Sequence, residues 1–527
     1  MLPNGVAGHP VTWYPDGGHF LLQWFTAADE KPSLWSLSVM SGDARRIADD
    51  AWGPAVSPDG SRIAFIRNAV GVSGVCRLNL DCRYALGREI WTMAPDGSDP
   101  QKILDAPIDG RFGPVAWAPD GRRIAYVRLK GGADTSEFLV EIHDLRTGKS
   151  SVVESDPRLN LAGEMLHWQP AVCWTRDGRL VFGLHEVQED AGSNAWAIRV
   201  DSENGEAKGK PIRLTNGPGN ISSLSITADG KRLAFIKNSL EPQVYVGELD
   251  AAARVLRNNR RLTLDRRASM PFSWTPDNRS IIFSSNRNGR MEIFEQAIDH
   301  TTPELLASDP AADLFLGRVT PDGSGILYVS YPSKPSQLPR IMRVPMTGGP
   351  STALLEMRDL GNVNCARAPA SVCFFFRDDG GGNNVFYTLD PVRGTSKEIL
   401  RLTVDQSACS AITPDGSLLA ICAFDLHDGH IQLFSMRDGS MRDLVVKGWS
   451  GINAVDWTLD SKSLFASSLR PDGTVVLLNV DLEGAAHVIL EHKNAGDVCW
   501  AIPSSDGKHL ASMQMNGESN AWMLENF

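Results

Sequence analysis

One short segment recurs along the sequence and constrains the fold more than any other feature. In residues 115–127 it consists of an apolar stretch ending at Trp117, the triplet Pro119-Asp120-Gly121, and a second apolar stretch. Proline fixes φ at the second turn position, aspartate accepts hydrogen bonds from nearby backbone N–H groups, and glycine adopts the left-handed conformation. The segment therefore predicts an antiparallel β-hairpin. Because an isolated hairpin is only marginally stable in water, its recurrence must determine the fold.

Ten further stretches repeat this pattern with substitutions in the turn. They are residues 13–17, 56–60, 174–178, 226–230, 274–278, 319–323, 373–380 (a degenerate copy), 412–416, 457–461 and 502–507. Most neighbouring copies lie about 43 to 61 residues apart, which is the period of a four-stranded propeller blade with loops of variable length. The sequence therefore predicts an all-β chain, a β-propeller of four-stranded antiparallel blades with about eleven repeats.

The number of repeats also bears on domain organisation. Eleven blades exceed the usual maximum of about eight for one ring, so two tandem propellers are favoured. We expect the first in residues 1–265, lacking a blade if each ring has six, and the second in residues 266–527, with the boundary between 215 and 268. The last repeat ends without an outer strand. Either residues 1–10 or a segment near 261–264 must supply that strand, because an unpaired edge invites aggregation.

Composition excludes several classes of partner. The formal net charge is -11, whereas nucleic acids and anionic membrane surfaces attract clustered Lys and Arg. The densest apolar run, residues 372–376, is far shorter than the roughly 20 residues of a membrane helix. The N-terminal residues show no signal peptide. No nucleic-acid binding and no membrane insertion are predicted for this chain.

Tryptophan enters the first strand of several repeats at equivalent positions. These side chains are predicted to form the core between blades, because large aromatic residues contribute most when they are buried. They are Trp13, Trp117, Trp174, Trp274 and Trp457.

The repeat resembles the TolB-type, WD-repeat-like β-propeller family of bacteria over nearly the whole chain. The resemblance lies in the order of residues in the repeat: Trp, then Ser or Thr, then Pro, Asp and Gly, followed by an apolar strand. Further phrases resemble the C-terminal propeller half of bacterial receptor-like serine/threonine kinases and of winged-helix regulators. These phrases are residues 245–249, 260–265, 343–350 and 520–527. The resemblance implies a sensor or protein-interaction module and an extracytoplasmic or periplasmic location.

The enzymatic half of those proteins has no counterpart in this sequence. It contains no Gly-rich phosphate loop, no His-Arg-Asp catalytic loop and no Asp-Phe-Gly triplet. A Gly-x-Ser-x-Gly nucleophile elbow is also missing, since residues 71–75 and 448–452 lack the final Gly. No catalytic residue and no cofactor are predicted.

One loop has the side chains of a metal site. His427, Asp428 and His430 place two imidazoles and a carboxylate close together, although further ligands would have to come from elsewhere and a polar loop is the simpler interpretation. The turn aspartates, among them Asp59, Asp120, Asp322 and Asp415, are interpreted as turn formers.

The eight cysteines do not indicate a disulfide scaffold, but Cys76 with Cys82 and Cys365 with Cys373 form two local pairs. The phrase around the second pair resembles one in the kinase-linked propellers. The spacing of this pair fits a disulfide across a hairpin, which would imply an oxidising compartment. It fits equally well two reduced thiols packed in a blade. The other four cysteines are predicted to be small core residues, namely Cys173, Cys409, Cys422 and Cys499.

The sequence therefore favours a non-catalytic binding or scaffold module, a sensor or interaction half related to bacterial signalling proteins. Its partner is predicted to be a protein, a peptide or a small molecule at a propeller funnel, where sequence-distant blades present side chains together. Two alternatives stay open. One is a propeller hydrolase or lyase with its active site in the funnel, which would require titratable groups with shifted pKa values to converge there. The other is a periplasmic TolB-like binding protein.

Overall fold

The computed structural model describes residues 8–24, 32–70, 86–107, 110–130, 137–154, 172–185, 193–217, 219–227, 229–332, 337–367, 370–379, 383–403, 408–423, 429–470, 474–492 and 500–527. Within these residues all regular secondary structure is β-strand, and no helix is long and apolar enough to cross a membrane. The all-β prediction is confirmed.

The chain forms two compact units. The first contains the described residues of 8–239 together with Glu518–Phe527, and the second contains those of Leu240–Gly517. The chain leaves the first unit within one long strand, β18, and returns to it within another, β41, whose bounds are given below.

Antiparallel sheets of consecutive strands build the first unit. Its strands are β1 (Gly8–Trp13), β2 (His19–Trp24), β3 (Ser33–Ser38), β4 (Ala44–Asp49), β5 (Trp52–Val56), β6 (Ile63–Val70), β7 (Leu86–Met93), β8 (Gln101–Asp105), β9 (Gly110–Trp117), β10 (Arg123–Lys130), β11 (Glu137–Asp144), β12 (Lys149–Glu154), β13 (Val172–Trp174), β14 (Arg179–His185), β15 (Ser193–Val200), β16 (Ala207–Arg213), β17 (Asn220–Ile226) and the start of β18 (Arg232–Leu249). Each group of four pairs in chain order, and β7 also pairs with β9. The first strands of successive sheets, β1, β5, β9, β13 and β17, contact one another in that order.

The same four-stranded arrangement builds the second unit. Its strands are β19 (Leu256–Arg261), β20 (Ser269–Trp274), β21 (Ser280–Ser285), β22 (Glu292–Ala297), β23 (Glu304–Ala307), β24 (Ala312–Val319), β25 (Gly325–Pro332), β26 (Arg340–Pro345), β27 (Thr352–Glu356), β28 (Leu360–Cys365), β29 (Cys373–Asp378), β30 (Asn383–Leu389), β31 (Ser396–Thr403), β32 (Ala408–Ile412), β33 (Leu418–Ala423), β34 (His430–Ser435), β35 (Met441–Val445), β36 (Ile452–Trp457), β37 (Ser463–Leu469), β38 (Val475–Asp481), β39 (Ala486–His492), β40 (Ala501–Pro503) and most of β41 (His509–Glu525).

The second unit is a closed ring. Its first strands contact one another in the cycle β20, β24, β28, β32, β36, β40 and back to β20. The last sheet combines distant parts of the chain, because β40 and β41 pair with each other and β41 pairs with β18, which in turn pairs with β19. Backbone N–H of Leu249 donates to the carbonyl of Lys508 at 2.8 Å. The outer strands of the last repeat therefore come from the middle of the chain, and the β-propeller prediction is confirmed.

The recurrent turn is held by its own side chains. In residues 412–418 the Thr413 hydroxyl donates to Asp415 Oδ1 at 2.6 Å and accepts the backbone N–H of Leu418 at 3.0 Å. The same hydroxyl-to-carboxylate bond is made by Ser57, Thr175, Thr227, Thr275, Thr320, Thr458 and Ser504. The glycine position has positive φ, and Asn278 adopts φ 61° where it replaces glycine.

Tryptophan joins neighbouring sheets by a hydrogen bond as well as by packing. The indole N–H of Trp457 donates to the carbonyl of Ala411 on the first strand of the preceding sheet, at 3.1 Å. Trp117 donates to Ala55 in the same way at 3.0 Å, and Trp274 donates to Ile502 at 2.9 Å across the point where the ring closes. Trp13 departs from the core prediction, because its side chain is 50% exposed.

Two disulfides lie in adjacent sheets of the second unit. Cys365 and Cys373 are directly opposite on β28 and β29, with their sulfur atoms 2.02 Å apart, and Cys409 and Cys422 are opposite on β32 and β33, 2.06 Å apart. The interpretation of Cys409 and Cys422 as mere core thiols is therefore corrected: both are buried, and the register of the two strands brings their sulfur atoms together. Cys76, Cys82 and Cys499 lie outside the described residues.

We predict that Trp457→Phe destabilises the protein by about 1 to 3 kcal/mol, because it removes a buried hydrogen bond between sheets and part of a close-packed side chain. Trp13→Phe is the matched control, and its effect should stay within about 0.5 kcal/mol because the side chain is half exposed. Urea denaturation followed by circular dichroism measures both. Equal shifts of the unfolding midpoint in the two variants would contradict the role assigned to the indole bond.

We also predict that Cys365 and Cys373 are bonded in protein taken from its native compartment, since their opposed strand positions leave little freedom to separate. Denatured protein is alkylated before and after reduction and then analysed by peptide mass spectrometry. Peptides with Cys365, Cys373, Cys409 and Cys422 should become labelled only after reduction, whereas Cys173, which is free, should be labelled without it. Labelling of Cys365 in the absence of reductant would count against the disulfide.

Candidate functional site

Three charged side chains meet at the axis of the second unit, where the first strands converge. Arg318 lies on β24, Asp456 lies on β36, and Arg367 lies two residues beyond the end of β28. In ring order β24 and β36 are opposite each other, as are β28 and β40. We call Arg318, Arg367 and Asp456 the axial cluster.

Hydrogen bonds fix both arginines toward the axis. The Arg318 guanidinium donates through Nη1 to the carbonyl of Phe272 on the neighbouring strand β20. Arg367 donates through Nη2 to the carbonyl of Pro503 at 3.0 Å. Because Pro503 belongs to β40, on the opposite side of the ring, the Arg367 side chain reaches across the axis.

Contacts of the described neighbouring residues restrain Arg367. The Cys365–Cys373 disulfide links the strands on either side of it, and the backbone N–H of Ala366 donates to the carbonyl of Val372 at 2.8 Å. The backbone N–H of Arg367 itself donates to the carbonyl of Pro414 in the adjacent turn, at 3.2 Å. The predicted disulfide pair therefore lies beside the axial cluster and restrains one of its members.

The electrostatic environment is set by burial and by the cluster itself. Burial raises the pKa of Asp456 although both arginines act to lower it. Burial also lowers the pKa of Arg318 to about 10 and lowers the pKa of Arg367, while Asp456 acts to raise both. Because a guanidinium stays protonated in proteins, both arginines are charged at neutral pH, and the cluster has a net positive charge whether Asp456 is ionised or protonated.

The cluster has unused hydrogen-bonding capacity. A guanidinium has five N–H donors, yet Arg318 Nε and Arg367 Nη1 have no acceptor within the described part of the protein. Although all three side chains are partly exposed, these two nitrogen atoms are themselves buried. Buried donors without partners are uncommon in folded proteins and often mark a place that water, an ion or a ligand fills.

Arg318 and Asp456 occupy the same position of the repeat. Each immediately precedes the residue at the tryptophan position, Val319 for one and Trp457 for the other, so its side chain points away from the face that packs between sheets. Other repeats have small or uncharged residues there, namely Thr12, Ala55, Ala116, Cys173, Ser225, Ser273, Ala411 and Ile502. Sequence reasoning missed the cluster, and this position held the signal that would have found two of its members.

The other candidate residues do not come together in a site. His427 and Asp428 lie outside the described residues, while His430 is exposed at the start of β34. Across the described ranges no group of three or more His, Cys, Asp or Glu side chains is placed to hold a metal ion.

The turn aspartates are occupied within their own turns. Asp120 accepts the backbone N–H of Arg122 at 2.9 Å and Asp322 accepts that of Ser324 at 3.1 Å. The Ser57 hydroxyl is the main cause that lowers the pKa of Asp59 to about 2, and the Ser324 hydroxyl does the same for Asp322, also to about 2. Such carboxylates are ionised and already hydrogen-bonded, as the turn-forming interpretation requires.

Comparison with known proteins finds no matching family model. A stretch of 165 residues, 31% of this chain, is 26% identical to the Tol-Pal system protein TolB of Francisella tularensis subsp. tularensis (strain WY96-3418) and covers 35% of it. The match thus spans about a third of the length of this curated relative. The similarity confirms the TolB-type resemblance of the repeats, while the resemblance to kinase-linked propellers stays a prediction.

Among solved structures the chain is similar to TolB from Acinetobacter baumannii, with 15% identity, a TM-score of 0.22, and coverage of 76% of this chain and 80% of that one. It is also similar to a chain of a nidogen/laminin complex, with 10% identity, a TM-score of 0.38, and coverage of 48% of this chain and 93% of that one.

Proposed function

We propose that this protein is a non-catalytic β-propeller binding module whose second unit takes its ligand at the ring axis. The observation that carries the proposal is the axial cluster, in which charged side chains from three sheets are partly exposed and keep unpaired donors. First strands hold Arg318 and Asp456, and the segment next to the Cys365–Cys373 disulfide holds Arg367, so all three groups are fixed in place as a binding site requires. The partial similarity to TolB agrees with a binding role.

A role as the sensor or interaction half of a signalling protein is the finer form of this proposal. It rests on the resemblance of the sequence to kinase-linked propellers. The periplasmic TolB-like alternative predicts the same axial binding, so the two differ in the partner and not in the site.

The competing function is that of a propeller enzyme. Titratable groups with shifted pKa values converge at the axis, as they do in many active sites. General acid–base catalysis needs groups that exchange protons near the working pH. In the axial cluster only Asp456 is of that kind, because the arginines stay protonated. Hydrolysis of a glycosidic bond, for instance, ordinarily uses two carboxyl groups. Binding therefore accounts for the cluster with fewer assumptions.

The experiment places a photoreactive p-benzoylphenylalanine in the turn that follows β36, as Lys462→p-benzoylphenylalanine, and at exposed Val488 on the outer strand β39 as the control. Each full-length variant is irradiated in an extract of the native organism, and adducts are identified by intact-protein and peptide mass spectrometry. We expect a defined adduct, peptide or small molecule, at position 462 and not at 488. Equal adducts at both positions, or none at 462, would overturn axial binding.

A further inference from the structure

The members of the axial cluster act on one another electrostatically. Within the described part of the protein, the charged residues that shift their pKa values are Arg318, Arg367 and Asp456 themselves. No ion pair with an N–O distance within 4.0 Å joins Asp456 to either arginine in the described structure. One carboxylate therefore faces two guanidinium groups without neutralising them, and a single positive charge remains when Asp456 is ionised.

An uncompensated charge whose N–H donors are shielded from water, as Arg318 Nε and Arg367 Nη1 are, is unfavourable unless a counter-charge joins it. The geometry of the donors indicates which counter-charge fits. Guanidinium groups present N–H donors in a planar fork that matches a carboxylate, and each arginine uses only part of its fork on a backbone carbonyl.

We propose that the axial cluster is a carboxylate-binding site in which Arg318 and Arg367 bind the carboxylate and Asp456 limits its affinity. This inference rests on the proposed function, because it names the ligand chemistry of the same site. A carboxylate supplies the one negative charge that the cluster lacks, whereas a dianion would exceed it and be repelled by Asp456. The carboxylate belongs to a peptide, as a C-terminus or acidic side chain, or to a sugar acid.

Asp456→Asn is the decisive variant. Asparagine has nearly the same shape, and its Oδ1 can still accept the backbone N–H of Trp457, which Asp456 accepts at 2.7 Å. The substitution removes the negative charge that opposes the ligand. Carboxylate affinity should therefore rise by about three- to tenfold. A residue with only a structural role would not tighten binding when it is replaced.

Arg318→Gln and Arg367→Gln should each have the opposite effect and weaken carboxylate binding by about tenfold or more, because a charge-assisted hydrogen bond is lost. Arg340→Gln is the control. Arg340 is partly exposed on β26 and pairs with Glu356 at the surface, so its loss should leave binding unchanged.

The probes are D-galacturonate and N-acetyl-glycyl-glycine with a free C-terminus, each compared with its uncharged analogue, the methyl ester or the C-terminal amide. Saturation-transfer NMR titrations on the full chain give the dissociation constants, and circular dichroism checks that each variant is folded. We expect at least one carboxylate probe to bind about tenfold more tightly than its uncharged analogue. If only one of the two does so, that probe identifies the source of the carboxylate, and if both do, the site recognises the carboxylate of either source.

Three results would overturn the inference: equal binding of both acids and their uncharged analogues, no gain in affinity in Asp456→Asn, or no loss in a folded arginine variant. If the arginine variants do not fold, the result for Asp456→Asn decides alone.

Failure of the carboxylate assignment can be distinguished from failure of the proposed function. If the adduct at position 462 persists unchanged when Arg318→Gln is added, the carboxylate assignment is wrong but axial binding stands. If no adduct forms at position 462 in the otherwise unaltered protein, axial binding itself is wrong.

Discussion

Pairing between the C-terminal strands β40 and β41 and the mid-chain strands β18 and β19 is the interaction on which the second unit depends. Until it forms, the contact between β20 and β40 is absent and the indole of Trp274 lacks its acceptor on Ile502. Residues more than two hundred positions apart must meet, and the entropy of closing so long a loop is lost before the contacts compensate for it. Ring closure is therefore expected to be a late step of folding, and the axial cluster is complete only after it.

Within each sheet, by contrast, the determinants are local. The Pro-Asp-Gly turns and the alternating apolar strands predicted the hairpins, because their side chains interact with backbone a few residues away. The serine or threonine before the proline was not recognised as part of the turn, although its hydroxyl bonds both the aspartate and the second strand. Its two hydrogen bonds give the recurring aspartate a role within the turn itself.

The axial cluster lies beyond local reasoning for a physical reason. Arg318, Arg367 and Asp456 are far apart in sequence, and each resembles an ordinary surface charge until the first strands are arranged in a circle. Periodicity would have singled out Arg318 and Asp456 as the charged residues at one repeat position. It would not have found Arg367, because the turn between β28 and β29 departs from the repeat. The Cys409–Cys422 pair was missed likewise, since only strand register brings the two residues opposite each other.

The charge of the axial cluster is opposite to that of the chain that surrounds it. The protein has a net charge of -11, so its long-range field repels an anion that the axis attracts at short range. At 0.1 M salt the Debye length is about 10 Å, so salt weakens the long-range repulsion between exposed charges. It weakens a direct contact that protein shields from solvent much less. Moderate ionic strength should therefore speed the arrival of an anionic ligand more than it loosens the bound state.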